Sequence, residues 1–133
     1  MRPFDVLVVA HGGLAEALVA SSAMIVGEVD GVRAVGLDPA DSPESFAERV
    51  EAAIDRERPT LILSDLFGGT PHNVACALAR RHAVRCISGT NLGLLIEVLT
   101  TTDALDDGLV ERLVAVARDG IIDVTSRLSL TRD

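Results

Sequence analysis

The chain has 133 residues, 48% of them hydrophobic and 24% charged, with a mean hydropathy of +0.35. That is the size of one domain with a substantial core. Its 12 basic and 20 acidic residues leave a net charge of −8. A field of that sign repels phosphate backbones, and no Lys/Arg stripe interleaved with aromatics offsets it, which excludes nucleic acid as a partner.

The first predicted element is a continuous apolar strand, Phe4 to Ala10, of the kind found in sheets covered on both faces. His11 and the pair Gly12-Gly13 follow it, and a helix runs from about Leu14 to Val26, ended by Gly27. Val32 to Leu37 is a second strand. In the "DPADSPESF" stretch Ser42 suits an N-cap and Pro43 the first helical position, and Phe46, Val50, Ala53 and Ile54 then mark one buried helical face.

Thr60 to Ser64 is a third strand, closed by Asp65. After the tight loop Phe67-Gly68-Gly69, Thr70 as N-cap and Pro71 as first residue open a helix to about Arg81. Val84 to Ser88 is a fourth strand. Gly89 to Asn91 turns into a helix with Leu92, Leu95, Ile96 and Leu99 on one stripe, and another helix runs from about Leu105 to Arg118. Ile121 to Leu128 alternates and is predicted to be a late strand.

Strands separated by helices require crossover connections, so the expected fold is α/β: a single-domain three-layer α/β/α sandwich with a mostly parallel central sheet. No repeat or linker divides residues 1–133. No apolar run approaches the roughly 20 residues that cross a bilayer, and no basic segment precedes an apolar one at the N-terminus, so a soluble, cytoplasmic chain without membrane insertion is expected. Cys76 and Cys86 fit neither a CxxC nor a zinc spacing and read as reduced, buried thiols.

In such folds ligands bind beyond the carboxyl ends of the strands, where strand order reverses. If the second and third strands flank the first, that point brings together His11 and Asp65, 54 positions apart. An aspartate accepting Nδ1–H fixes the imidazole tautomer and leaves the Nε2 lone pair outward as a nucleophile. Gly12-Gly13 and Gly68-Gly69-Thr70 each lead into a helix N-terminus, whose unpaired N–H groups suit an anion. The candidate site is therefore His11 and Asp65 as catalytic pair, with Gly12, Gly68, Gly69 and Thr70 binding a phosphoryl group.

The segments "VVAHGGLAEAL", "LILSDLFGGTPHN" and "ISGTNLGLLIEVL" together resemble the IIA component of the mannose-type (mannose/fructose/sorbose) sugar phosphotransferase system over nearly the full length. The resemblance implies that His11 is transiently phosphorylated by the phosphocarrier HPr and passes the phosphoryl group to a histidine of a IIB component. It implies Asp65 as the acid that orients the histidine and Thr70 as a nearby hydroxyl. It also implies a homodimer in which a C-terminal strand, here Ile121 to Leu128, is lent to the partner's sheet. Ala10 stands where the family often has Ser or Thr, and His72 where it often has an apolar residue. No IIB segment follows, so the acceptor is expected to be a separate chain.

Phosphoryl transfer between histidines needs no metal, nucleotide or other cofactor, and no GxxxxGK[ST] loop is present. A regulatory protein using the same phosphorylation as a signal, and the phosphotransfer subunit of a dihydroxyacetone kinase, need the same histidine and stay open. A hydrolase or metalloenzyme is disfavoured: there is no GxSxG or HExxH, and the three histidines fall on separate elements. His72 reads as a solvated first-turn residue, and His82 as a favourable charge at a helix C-terminus.

Overall fold

The structure is a computed structural model that describes residues 2–130. Strand β1 (Asp5–His11) lies at the centre of the sheet, where Val, Leu and Ala side chains are buried on both faces. Helix α1 (Leu14–Val26), strand β2 (Val32–Leu37), helix α2 (Pro43–Ala52), strand β3 (Thr60–Ser64), helix α3 (Thr70–Ala79) and strand β4 (Val84–Ile87) follow. Helices α4 (Leu92–Thr100), α5 (Asp107–Asp119) and α6 (Val124–Leu130) complete the described chain.

The sheet has the order β2-β1-β3-β4, and all three pairings are parallel. Chain direction across the sheet therefore reverses between β1 and β3, as the switch-point argument requires. Residues Val6, Val8, Ala10, Leu61 and Leu63 face α1, α4 and α5, while Leu7, Val9, Ile62 and Val84 face Phe46 and Val50 of α2 and Ala75 and Leu78 of α3. Each fully buried Leu, Val or Phe in these layers contributes roughly 1.5–3 kcal/mol by leaving water, and that rigid support fixes where the strand ends lie.

Local chemistry sets most boundaries. Ser42 and Ser45 form a reciprocal capping box on α2, each side chain 3.0 Å from the other's backbone nitrogen, with Pro43 at the start of the helix. Asn91 Oδ1 accepts from Leu94 N at 2.8 Å and opens α4, and Asp106 Oδ1 accepts from Leu109 N at 2.9 Å, so α5 starts at Asp107 and not near Leu105.

Two expectations are corrected. Gly69, in extended conformation, caps α3; Thr70 is its first residue and Pro71 its second, and no side chain supplies a cap bond. The predicted late strand at Ile121 to Leu128 is not formed either. Asp123 Oδ1 accepts from Ser126 N at 3.0 Å and starts the short helix α6, which satisfies its own backbone where an isolated strand would leave its groups without partners.

Candidate active site

His11 is the last residue of β1 and pairs in register with Leu37 of β2. Asp65 is the first residue after β3. The sheet sets them side by side: His11 Nδ1 lies 2.8 Å from Asp65 Oδ2, and the same oxygen accepts the His11 backbone N–H at 3.0 Å. One carboxylate oxygen thus holds both the main chain and the ring of the histidine, which fixes the ring's angle as well as its tautomer. The histidine side chain is 48% exposed and the aspartate 10%, so the pair has a buried acid and an open imidazole.

Burial of Asp65 favours its neutral form, but the His11 amide, the imidazole hydrogen bond and the imidazolium charge outweigh it and hold the carboxyl below its ordinary value. An ionised Asp65 accepts Nδ1–H and presents Nε2 as the free lone pair. The second oxygen, Oδ1, is buried without a hydrogen-bond partner.

The glycines around the pair have different tasks. A Cβ on Gly69 would stand 2.9 Å from His11 Cε1 and 3.4 Å from Nε2, so the imidazole lies directly on the cap of α3. The first helical bond of α3 runs from Asn73 N to Gly69 O at 2.9 Å. Within the first turn the N–H groups of Thr70 and His72 therefore have no partner in the helix, and Pro71 has none to offer. Nε2 sits at the positive end of that helix. Gly68, with φ +90°, makes the turn that delivers Gly69 there.

Gly12 behaves differently: its N–H is committed to Leu37 O at 2.9 Å, and its carbonyl oxygen would be only 2.1 Å from a Cβ on Gly36. Gly36 is thus what admits the loop after β1. Its place inside a strand pattern was the available signal, since an interior glycine often marks a close backbone approach. Phe67, also missed as a site residue, is 77% exposed and meets the His72 ring at a tilt of 51°, with ring centroids 4.6 Å apart. With the exposed Leu14 and Leu66 it gives the loops flanking His11 an apolar rim.

The remaining candidates fall elsewhere. His72 Nε2 contacts Cys76 Sγ at 3.4 Å within α3, and His82 lies 3.5 Å from Glu51. Both cysteines are free and half-buried, with burial, then Cys76, pushing the Cys86 thiol up to about 12. Among the described residues no three His, Cys, Asp or Glu side chains stand grouped to hold a metal, and no helix is long and apolar enough to cross a membrane.

The structure is thus a parallel α/β sandwich with an aspartate-held histidine at its switch point. Comparison with known proteins identifies the group: residues 5–114 match the family described as PTS system fructose IIA component. The chain belongs to this mannose/fructose/sorbose family of IIA components, whose role is phosphotransfer within the sugar phosphotransferase system. It is 37% identical over 112 residues to the sorbose-specific EIIA component of Klebsiella pneumoniae, covering 81% of this chain and 82% of that one. It is 31% identical over 119 residues to the mannose-specific EIIAB component of Escherichia coli K12, covering 84% of this chain but 36% of that longer protein. Among solved structures, the mannose/sorbose-specific IIA subunit from Enterococcus faecalis matches with a TM-score of 0.85 at 30% identity, covering 92% of this chain and 94% of that one.

Proposed function

We propose that this chain is a phosphohistidine carrier: His11 Nε2 takes a phosphoryl group from phospho-HPr and gives it to a histidine of a IIB component. The observation that carries this reading is the 2.8 Å contact between His11 Nδ1 and Asp65 Oδ2 beside the cap of α3. In the forward step the P–N bond to the donor imidazole breaks as the bond to His11 Nε2 forms, in line. Asp65 keeps the Nδ1 proton in place and stabilises the cationic ring that results.

The transferring oxygens meet the free amides of the first turn of α3 and the Thr70 hydroxyl, with Gly68 and Gly69 clearing the approach. Gly12, its amide engaged with Leu37, serves by shaping the loop on the other side. The apolar rim of Leu14, Leu66 and Phe67 suits docking of protein partners, which must bring a second imidazole to the exposed Nε2. No metal or nucleotide enters the step.

Incubation with phosphoenolpyruvate, enzyme I and HPr is expected to give an acid-labile, base-stable phosphate that His11→Ala abolishes. Labelling that survives His11→Ala contradicts the assignment. For assembly, the proposal is a homodimer through the C-terminal segment, where Ile121 is 78% exposed and Ile122, Val124 and Leu128 are also exposed. Light scattering at micromolar concentration that gives the 14 kDa monomer contradicts it.

A further inference from the structure

Among the described residues three buried side-chain nitrogen or oxygen atoms have no hydrogen-bond partner: Asp65 Oδ1, Thr90 Oγ1 and His82 Nε2. The His82 nitrogen lies near Glu51, beyond the C-terminus of α3. The other two belong to neighbouring connections at the carboxyl edge of the sheet, since Asp65 follows β3 and Thr90 lies in the turn after β4. The two connections are bonded together: Thr90 N–H donates to the carbonyl of Ser64, the residue just before Asp65, at 3.0 Å. On its other side Thr90 is followed by Asn91, whose side chain caps α4. Thr90 is thus held on a rigid support one residue away from the acid that orients His11.

The chemistry of the two atoms is complementary. An ionised carboxylate only accepts hydrogen bonds, whereas a hydroxyl has one hydrogen to donate. Buried polar atoms are paired in folded proteins because leaving one unpaired forfeits its hydration with nothing in return. Oδ2 of Asp65 already takes two donors from His11, so a further donor belongs on Oδ1.

We propose that Thr90 is a positioning residue of the phosphoryl-transfer site, its hydroxyl donating to Asp65 Oδ1 through one shared water. This rests on the reading of His11 as the phosphoryl carrier. With Oδ1 held, the carboxylate does not turn about Cβ–Cγ, and Oδ2 stays on Nδ1 whether Nε2 is bare or phosphorylated. The donor also favours the ionised carboxylate that the histidine needs.

Thr90→Val keeps the shape and removes the hydroxyl, and Thr90→Ser keeps the hydroxyl. The readout is the titration of the Asp65 side-chain carboxyl by carbon-detected NMR in the unphosphorylated protein, together with the rate of phosphorylation by phospho-HPr. Thr90→Val is expected to raise the Asp65 midpoint and slow phosphorylation about tenfold, the scale of one hydrogen bond to a charged group, while Thr90→Ser matches the parent in both. An unchanged midpoint in Thr90→Val, or the same shift in Thr90→Ser, overturns the proposal.

If the variants do not fold, a high-resolution crystal structure of the parent decides. One water bonded to both the Thr90 hydroxyl and Oδ1 supports the proposal, and a hydroxyl without that shared water overturns it. The titration uses no phosphoryl donor, so a chain that shows the midpoint shift but is not phosphorylated at His11 keeps the Thr90 contact and loses the carrier reading.

Discussion

Two buried aspartates stand at opposite ends of the sheet, and their surroundings differ in kind. Asp5 begins β1 with its side chain 9% exposed, and its Oδ1 accepts from Arg58 Nε at 2.8 Å while Arg33 lies 3.8 Å from Oδ2. Arg2, itself buried, closes over the same spot with bonds to the carbonyls of Phe4, Asp30 and Gly31. Burial, and after it Arg58, lowers the Arg2 pKa, while Asp5 raises it. Asp65 faces one titratable imidazole and leaves an oxygen without a partner. A carboxylate ringed by permanent cations serves the fold, whereas one tied to a single histidine can respond to a change of charge on that ring.

The contrast is broken most sharply by neutralising each acid in turn. Asp65→Asn is expected to slow phosphorylation of His11 by about 100-fold, because an amide in that place does not hold the cationic ring. Its midpoint in urea unfolding falls by less than that of Asp5→Asn. Asp5→Asn reverses the pattern: phosphorylation is unchanged, and urea unfolding shows a loss of about 2 kcal/mol. This is below the usual range for a broken buried pair because Arg33 and Arg58 are 49% and 44% exposed and share their charge with water. Equal loss of stability in the two variants would erase the distinction.

A smaller effect isolates geometry from charge. Gly69→Ala places a methyl group 2.9 Å from His11 Cε1, which displaces the ring and is expected to slow phosphorylation roughly tenfold, measured as the rate of label uptake from phospho-HPr. The smallest effect is on acid stability. The Asp65 value is depressed in the folded state, so its bonds to His11 stabilise the fold fully above the ordinary Asp value of about 3.9. That contribution disappears as pH falls through the depressed value. The difference in Tm between the parent and Asp65→Asn is therefore expected to narrow below about pH 4, as followed by circular dichroism.

The central part of this architecture was legible because it rests on strong local signals. β1 to β4 are apolar runs bounded by Gly, Pro and Asp, and the Ser42 and Asn91 caps have the residue types that such positions favour. The His11–Asp65 pair followed from topology, since His11 ends β1 and Asp65 directly follows the neighbouring β3. The α3 cap was not legible: Thr70-Pro71 has the look of a cap and first residue, but the imidazole packed on Gly69 needs that residue extended, and the helix takes its cap there. The C-terminal segment misled because its alternation spans only a few residues. In a single chain Asp123 supplies a local cap, and the segment closes on itself as helix α6. The unpaired atoms Asp65 Oδ1 and Thr90 Oγ1 depend on atomic packing that no residue pattern encodes.

The central claim is that Asp65 holds Nδ1 of His11 so that Nε2 carries the phosphoryl group. Nitrogen and phosphorus NMR of the protein phosphorylated through HPr tests it most directly. The account predicts one phosphohistidine, at His11, with phosphorus bonded to Nε2 and Nδ1 still protonated. Phosphate bonded to Nδ1 of His11, or carried by His72 or His82, would contradict it.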